Sequence, residues 1–157
     1  TYKGQKGINF ANGLGNGDGV LLRMTGLEAE EYMSDKESLD MDAFVITDVS
    51  DKEVNEMLDA KFYSSDRLPN NPNSVYYNAP YAHIIDSYKL LDNNCTTFVS
   101  DVLNQLNSNA LETVKVYPIG VNGYYTIPVK ERFILPFSLQ QHLNQNLKSN
   151  GVIHKIR

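Results

Sequence analysis

Apolar positions along the chain fall into short runs whose spacing switches between the two-residue period of strands and the three-to-four-residue period of helices. Val20-Leu21-Leu22-Arg23-Met24 and Ala43-Phe44-Val45-Ile46-Thr47 are rich in β-formers and bounded by Gly, Asp and Ser, so each predicts a strand. The acidic stretch between them, Glu28 to Asp42, reads as a solvated excursion. Ser50 followed by Glu53 fits a capping box, and Val54, Met57, Leu58 and Phe62 then recur at helical spacing. That predicts a helix from about Asp51 to Tyr63. Arg67 to Pro80 has no period, is rich in proline and asparagine, and reads as a long surface loop.

Phe98, Val99, Val102, Leu103 and Leu106 share one face of a helix starting near Cys95, with Asn93 or Asn94 as its N-cap. Thr113 to Tyr117 alternates, and Val121-Asn122-Gly123-Tyr124 reads as a turn leading into Tyr124 to Ile127, so two antiparallel strands are expected. Ser138 introduces Leu139, Leu143 and Leu147 at helical spacing, Ser149-Asn150-Gly151 is a stop signal, and Val152 to Ile156 is a strand-like tail. Residues 1–19 carry six of the ten glycines and read as a flexible entry segment. The pattern as a whole predicts an α+β domain spanning residues 1–157. A small antiparallel sheet packs against the Cys95 helix, and helices near 51–63 and 138–148 flank it.

At 157 residues with 41% apolar and 21% charged positions, the chain has the composition of one folded domain with a core. A formal charge of −5 is the wrong sign for binding phosphates, which argues against nucleic acid as a partner. No apolar run is long enough to span a bilayer, and the opening TYKGQKG lacks the apolar core of a secretory signal, so the chain as it stands reads as soluble. The first residue is threonine, which points to a processed piece of something longer. The single cysteine, Cys95, cannot form an internal disulfide, and functional interest narrows to it.

A thiol at a helix N-terminus has its ionised form favoured by the helix dipole and by free backbone N–H groups, and the same N–H groups can line an oxyanion hole. Cys95 therefore has the setting of an acyl-transfer nucleophile, although its position alone does not separate this from a small core cysteine. The missing part is a base. His83 lies twelve positions upstream in Ala82-His83-Ile84-Ile85, and His154 lies in the terminal run Val152 to Ile156; His142 sits beside the Leu139/Leu143 stripe and reads as a boundary residue.

Tyr88-Lys89-Leu90-Leu91-Asp92-Asn93-Asn94-Cys95-Thr96-Thr97-Phe98-Val99, continuing to Leu103, resembles the Y-x-L-x-x-N-N-C-x-x-F-V pattern of papain-like cysteine hydrolases of the NlpC/P60 superfamily, including their circularly permuted branch. Upstream order extends the likeness, over about Ala43 to Leu106, to the cysteine-hydrolase modules of bacterial polymorphic toxins and effectors. The resemblance implies a papain-like fold and a peptidase, amidase or acyl-transfer activity through Cys95, with no cofactor. It also implies a peptide or protein substrate and a secreted or exported setting. Asn94 and Tyr88 are then candidate binding residues. In the permuted branch the base precedes the cysteine, as His83 does, and in non-permuted members it follows, as His154 does. Neither position carries the family's Gly-His-Ala signature. The third explanation is that the histidine strand lies upstream of Thr1 or on a second chain. The contrasting reading is a non-catalytic module that binds an immunity protein or partner subunit on the same scaffold.

Other signals are thin. Gly13 to Gly19 is like one calcium-binding nonapeptide repeat without the stacked neighbours such sites need, and it is no dinucleotide fingerprint. The histidines have no zinc-like spacing, so no metal is expected. Tyr76, Tyr77, Tyr81 and Tyr88 cluster ahead of the cysteine, where they could line an acceptor groove.

Overall fold

The computed structural model describes residues 2–4, 16–37, 42–121, 123–147 and 151–156. Its elements run β1 (Tyr2–Gly4), β2 (Asn16–Leu22), α1 (Leu27–Glu37), β3 (Phe44–Ile46), α2 (Asp51–Phe62), β4 (Ala82–Lys89), α3 (Cys95–Gln105), β5 (Glu112–Ile119), β6 (Gly123–Lys130), α4 (Pro136–Gln145) and β7 (Ile153–Lys155). The architecture is mixed α+β. The single expected sheet is instead three small antiparallel ones among the described residues, ordered β1-β2-β4, β3-β7 and β5-β6.

The first sheet carries two cores, one on each face. Val20, Leu22, Ala82 and Ile84 point to one side, where Met24, Tyr76, Ala79 and Tyr81 cover them. Leu21 points to the other, where it meets Phe62 of α2, Phe98 of α3, Ile85 and Tyr88. Ile85 and Tyr88 are three positions apart and would face opposite sides of a regular strand. The register between β2 and β4 shifts at Gly19/Val20, which pair with Asp86 and Ile84 and leave Ile85 as the extra residue. That bulge turns Tyr88 to the helix side.

The Ser50/Glu53 capping box forms as expected: the Ser50 hydroxyl accepts from the Glu53 N–H, and the Glu53 carboxylate accepts from the Ser50 N–H. The loop at 67–80 is tied down at both ends of its turn, since Ile84 N–H donates to the Arg67 carbonyl and Asn78 N–H to that of buried Pro69. β3 and β7 pair with Val45 opposite His154, and Ala110, Leu143 and Ile153 form a third core beside them.

Three sequence expectations are corrected. Residues 2–4 and 16–19 belong to strands of the first sheet, because β4 supplies a distant partner that glycine content does not reveal; residues 5–15, with most of the calcium-like stretch, lie outside the described residues. The acidic excursion contains helix α1, whose Glu28 and Glu30 sit in its first turn, where the helix dipole favours them; residues 38–41 lie outside the described residues. The last long helix starts at Pro136 with no side-chain cap, so Ser138 lies inside it, and proline at N1 is the true start signal.

Candidate active site at the start of helix α3

Asn94 is the N-cap, resolving the choice with Asn93. Its Oδ1 accepts from the N–H groups of Thr96 at 2.8 Å and Thr97 at 3.1 Å, while the Thr97 hydroxyl accepts from the Asn94 N–H at 2.8 Å. The amide end of Asn94 donates to the carbonyls of Leu90 at 2.6 Å and Ile134 at 3.0 Å. A residue only 3% exposed thus has both ends of its side chain committed to structure, and its place as a binding residue is taken by that work.

Ile134 reaches the cap because residues 131–134 run as a strap along α3. Asn104 donates to the Glu131 carbonyl, Arg132 makes a two-pronged contact with Asp101 at 2.7 and 3.0 Å, and the Ser100 hydroxyl accepts from Phe133 N–H. Arg132 also donates to the carbonyl of Asp92 in the turn before the cysteine. None of these partners is close to α3 in sequence, and local spacing carried no signal for them.

Cys95 is the first residue of α3 and is exposed. The hydroxyl of Tyr88 faces both its thiol and its backbone N–H; burial first, and then negative charge on the Cys95 sulfur, push the phenol above its ordinary value. A phenol raised in this way stays protonated and remains a donor at neutral pH. The expectation that several helix N–H groups are free for an oxyanion is corrected, because the acceptor cap Asn94 occupies those of Thr96 and Thr97. The Cys95 N–H is directed in turn at the Tyr88 hydroxyl oxygen. Around this point lie exposed apolar side chains: Leu90 and Leu91 of the preceding turn, Val99 one helical turn on, Ile134 of the strap and Leu135, the N-cap residue of α4.

All three imidazoles are held elsewhere. His83 lies on β4 and is no loop or helix residue; its Nδ1 is 2.9 Å from the Phe62 carbonyl and its ring stacks on Phe62 with centroids 3.9 Å apart. It is five positions from Tyr88, roughly 15 Å along the strand. His154 is exposed on β7, whose partner β3 leads to Asp48; that carboxylate binds Ser108 and Asn109 just beyond the far end of α3. The length of the helix, about 16 Å, therefore separates it from Cys95. His142 is buried, donates through Nε2 to the Ala110 carbonyl and accepts at Nδ1 from Asn146.

The tyrosines ahead of the cysteine do not form one groove. Tyr76 and Tyr81 pack on one face of the first sheet, Tyr88 on the other, and Tyr77 is exposed. Among the described residues no group of His, Cys, Asp and Glu could hold a metal ion, and no helix is long and apolar enough to cross a membrane. Comparison with protein-family models, with curated proteins and with solved structures finds no match, so the papain-like likeness rests on the segment from Tyr88 to Leu103.

Proposed function

We propose that the protein is a papain-like cysteine hydrolase or acyltransferase domain of the bacterial effector type, acting through Cys95. The observation that carries this reading is an exposed thiol at the first residue of a capped helix with the Tyr88 hydroxyl beside it. The Cys95 thiolate attacks an amide or related acyl carbon, the carbon–sulfur bond forms, and the carbonyl oxygen takes the negative charge. In this reading the oxyanion displaces the Tyr88 oxygen from the Cys95 N–H and accepts from that N–H and from the Tyr88 O–H. Collapse of the intermediate expels the amine, which takes up a proton, and water or a second acceptor then releases the acyl group. The apolar rim of Leu90, Leu91, Val99, Ile134 and Leu135 suits an acyl group flanked by apolar side chains, such as a peptide segment. The thiol's proton passes to a general base that none of His83, His142 and His154 supplies from its present place, and the same base returns that proton to the leaving amine.

The placement of those imidazoles favours a second reading, a binding module that keeps the scaffold without turnover. One experiment separates the two. The protein and its Cys95→Ala variant are mixed with a p-nitrophenyl ester, with and without added imidazole. Under the enzyme reading an acyl adduct forms on Cys95 faster than on a free cysteine peptide, and imidazole raises Cys95-dependent turnover above the variant's background. Adduct formation no faster than in the peptide, with no imidazole effect, selects the binding module.

A further inference from the structure

The hairpin of β5 and β6 pairs with no other strand among the described residues. A two-stranded ribbon by itself is marginal in water, so what covers its side chains matters to its existence. The register places Lys115, Tyr117, Ile119, Tyr125 and Ile127 on one face, and Val114, Val116, Pro118, Tyr124 and Pro128 on the other. All ten are exposed, and Val121 at the tip is 97% exposed. From Val116 to Ile127 there is no charged residue, in a chain of net charge −5. The charges flanking this stretch, Glu112, Lys115, Lys130 and Glu131, stand at the root, where Lys115 and Glu131 pair at 3.2 Å.

The edges exclude one kind of occupant. Pro128 sits opposite Val114 and Pro118 opposite Tyr124, and since proline has no N–H, these are pairs whose backbone groups point outward. Each outer edge thus lacks a donor, which interrupts the addition of a strand from another chain. The faces restrict a second kind. Both faces are exposed, so a second copy packed on a single face would leave the other face wet.

We propose that this hairpin is an arm that docks into an electrically neutral lipid surface. Lipid surrounds an arm that is apolar on both faces. Tyr117, Tyr124 and Tyr125 are the amphipathic rings that favour the headgroup level, and the stems of Lys115 and Lys130 can lie along the arm with their charges in water. The uncharged part of β5, Val116 to Ile119, is about 13 Å long, well short of the roughly 30 Å needed to cross the hydrocarbon core. Open strand edges forbid passage through the hydrocarbon core, so the arm lies in the interface and does not span it. The net negative charge selects against anionic headgroups.

The chain has no tryptophan, so Tyr124→Trp gives a single reporter at an exposed position. The full chain carrying it is titrated with phosphatidylcholine vesicles. The expected result is a blue shift with quenching by brominated lipid, and sedimentation with vesicles that is unchanged by added salt. Ile119→Asp with Val121→Asp, both at exposed positions, should weaken binding by about tenfold or more while leaving the thermal melt unchanged. Failure to bind these vesicles at millimolar lipid overturns the proposal, as does equal binding by the aspartate variant. So does a dimer in sedimentation velocity that the variant abolishes while vesicles stay unbound, since the second copy is then the occupant.

Discussion

The Tyr88 hydroxyl stands against Cys95 at the point where β4 hands over to α3, and it faces both the thiol and the backbone N–H of that residue. The contact depends on the bulge at Ile85, which turns Tyr88 to the side of the sheet that α3 packs on. Bulges recur beside active sites because they re-aim a side chain in this manner.

If the phenol donates to the ionised sulfur, removing it should lower the thiol's reactivity. A hydrogen bond to a charged group is worth about 1.5–3 kcal/mol, reduced here because the site is partly open to water. Tyr88→Phe should slow alkylation of Cys95 by iodoacetamide at neutral pH by about threefold to tenfold. The readout is clean because no other thiol is present. An unchanged rate would remove Tyr88 from the proposed chemistry.

Asn94 makes a different demand, because it supports the start of α3 through four hydrogen bonds to backbone groups. Asn94→Ala strands two helix N–H groups and two carbonyls, and should cost about 2–3 kcal/mol in urea unfolding. Asn94→Asp keeps the acceptor side and places a negative charge at the helix N-terminus, so its loss should be smaller. Equal losses for the two variants would mean that the bonds to Leu90 and Ile134, not the cap, carry the stability.

The legibility of these features in the sequence follows distance along the chain. The Ser50/Glu53 box and a cap at Asn93 or Asn94 lie within three residues of their partners and could be read directly, whereas the contact of Tyr88 with Cys95 depends on the bulge in β4 and left no local signal. The alternation of β5 and β6 was equally plain, since their partners are each other. β4 was missed because Ile84 and Ile85, side by side at its bulge, break the two-residue period, while its partner β2 lies sixty or more residues away. α1 was missed because its acidic sequence carries no apolar stripe to announce a helix. The strap from Glu131 to Ile134 works largely through backbone groups, which leave no mark on side-chain pattern.

Asp42 ties the third core together. Lys155 first, then Asn144 and Gln140, hold its carboxyl well below the usual carboxylate range. A carboxyl depressed in the folded state adds stability above its unfolded value of about 3.9 and loses it as pH falls below that. Asp42→Asn should therefore lower the urea midpoint at pH 7, and the gap from the parent protein should narrow steadily as pH falls below about 4. A gap that stays constant down to strongly acid pH would show that the carboxylate's charge is not what Lys155 responds to.

The two histidines first considered as bases give the sharpest test of the site's composition. His154 is exposed opposite Val45, so His154→Ala should change stability by less than about 0.5 kcal/mol. His83 donates to the Phe62 carbonyl and stacks on the Phe62 ring, so His83→Ala should cost about 1–2 kcal/mol. His83 is committed to Phe62 and His154 lies on β7 beyond the far end of α3, so neither substitution should alter the rate of Cys95 alkylation across neutral pH. A fall of about tenfold in that rate for either variant, with the fold intact by its melting curve, would mean that an imidazole reaches the sulfur through a rearrangement of β4 or β7 and would assign the base to that residue.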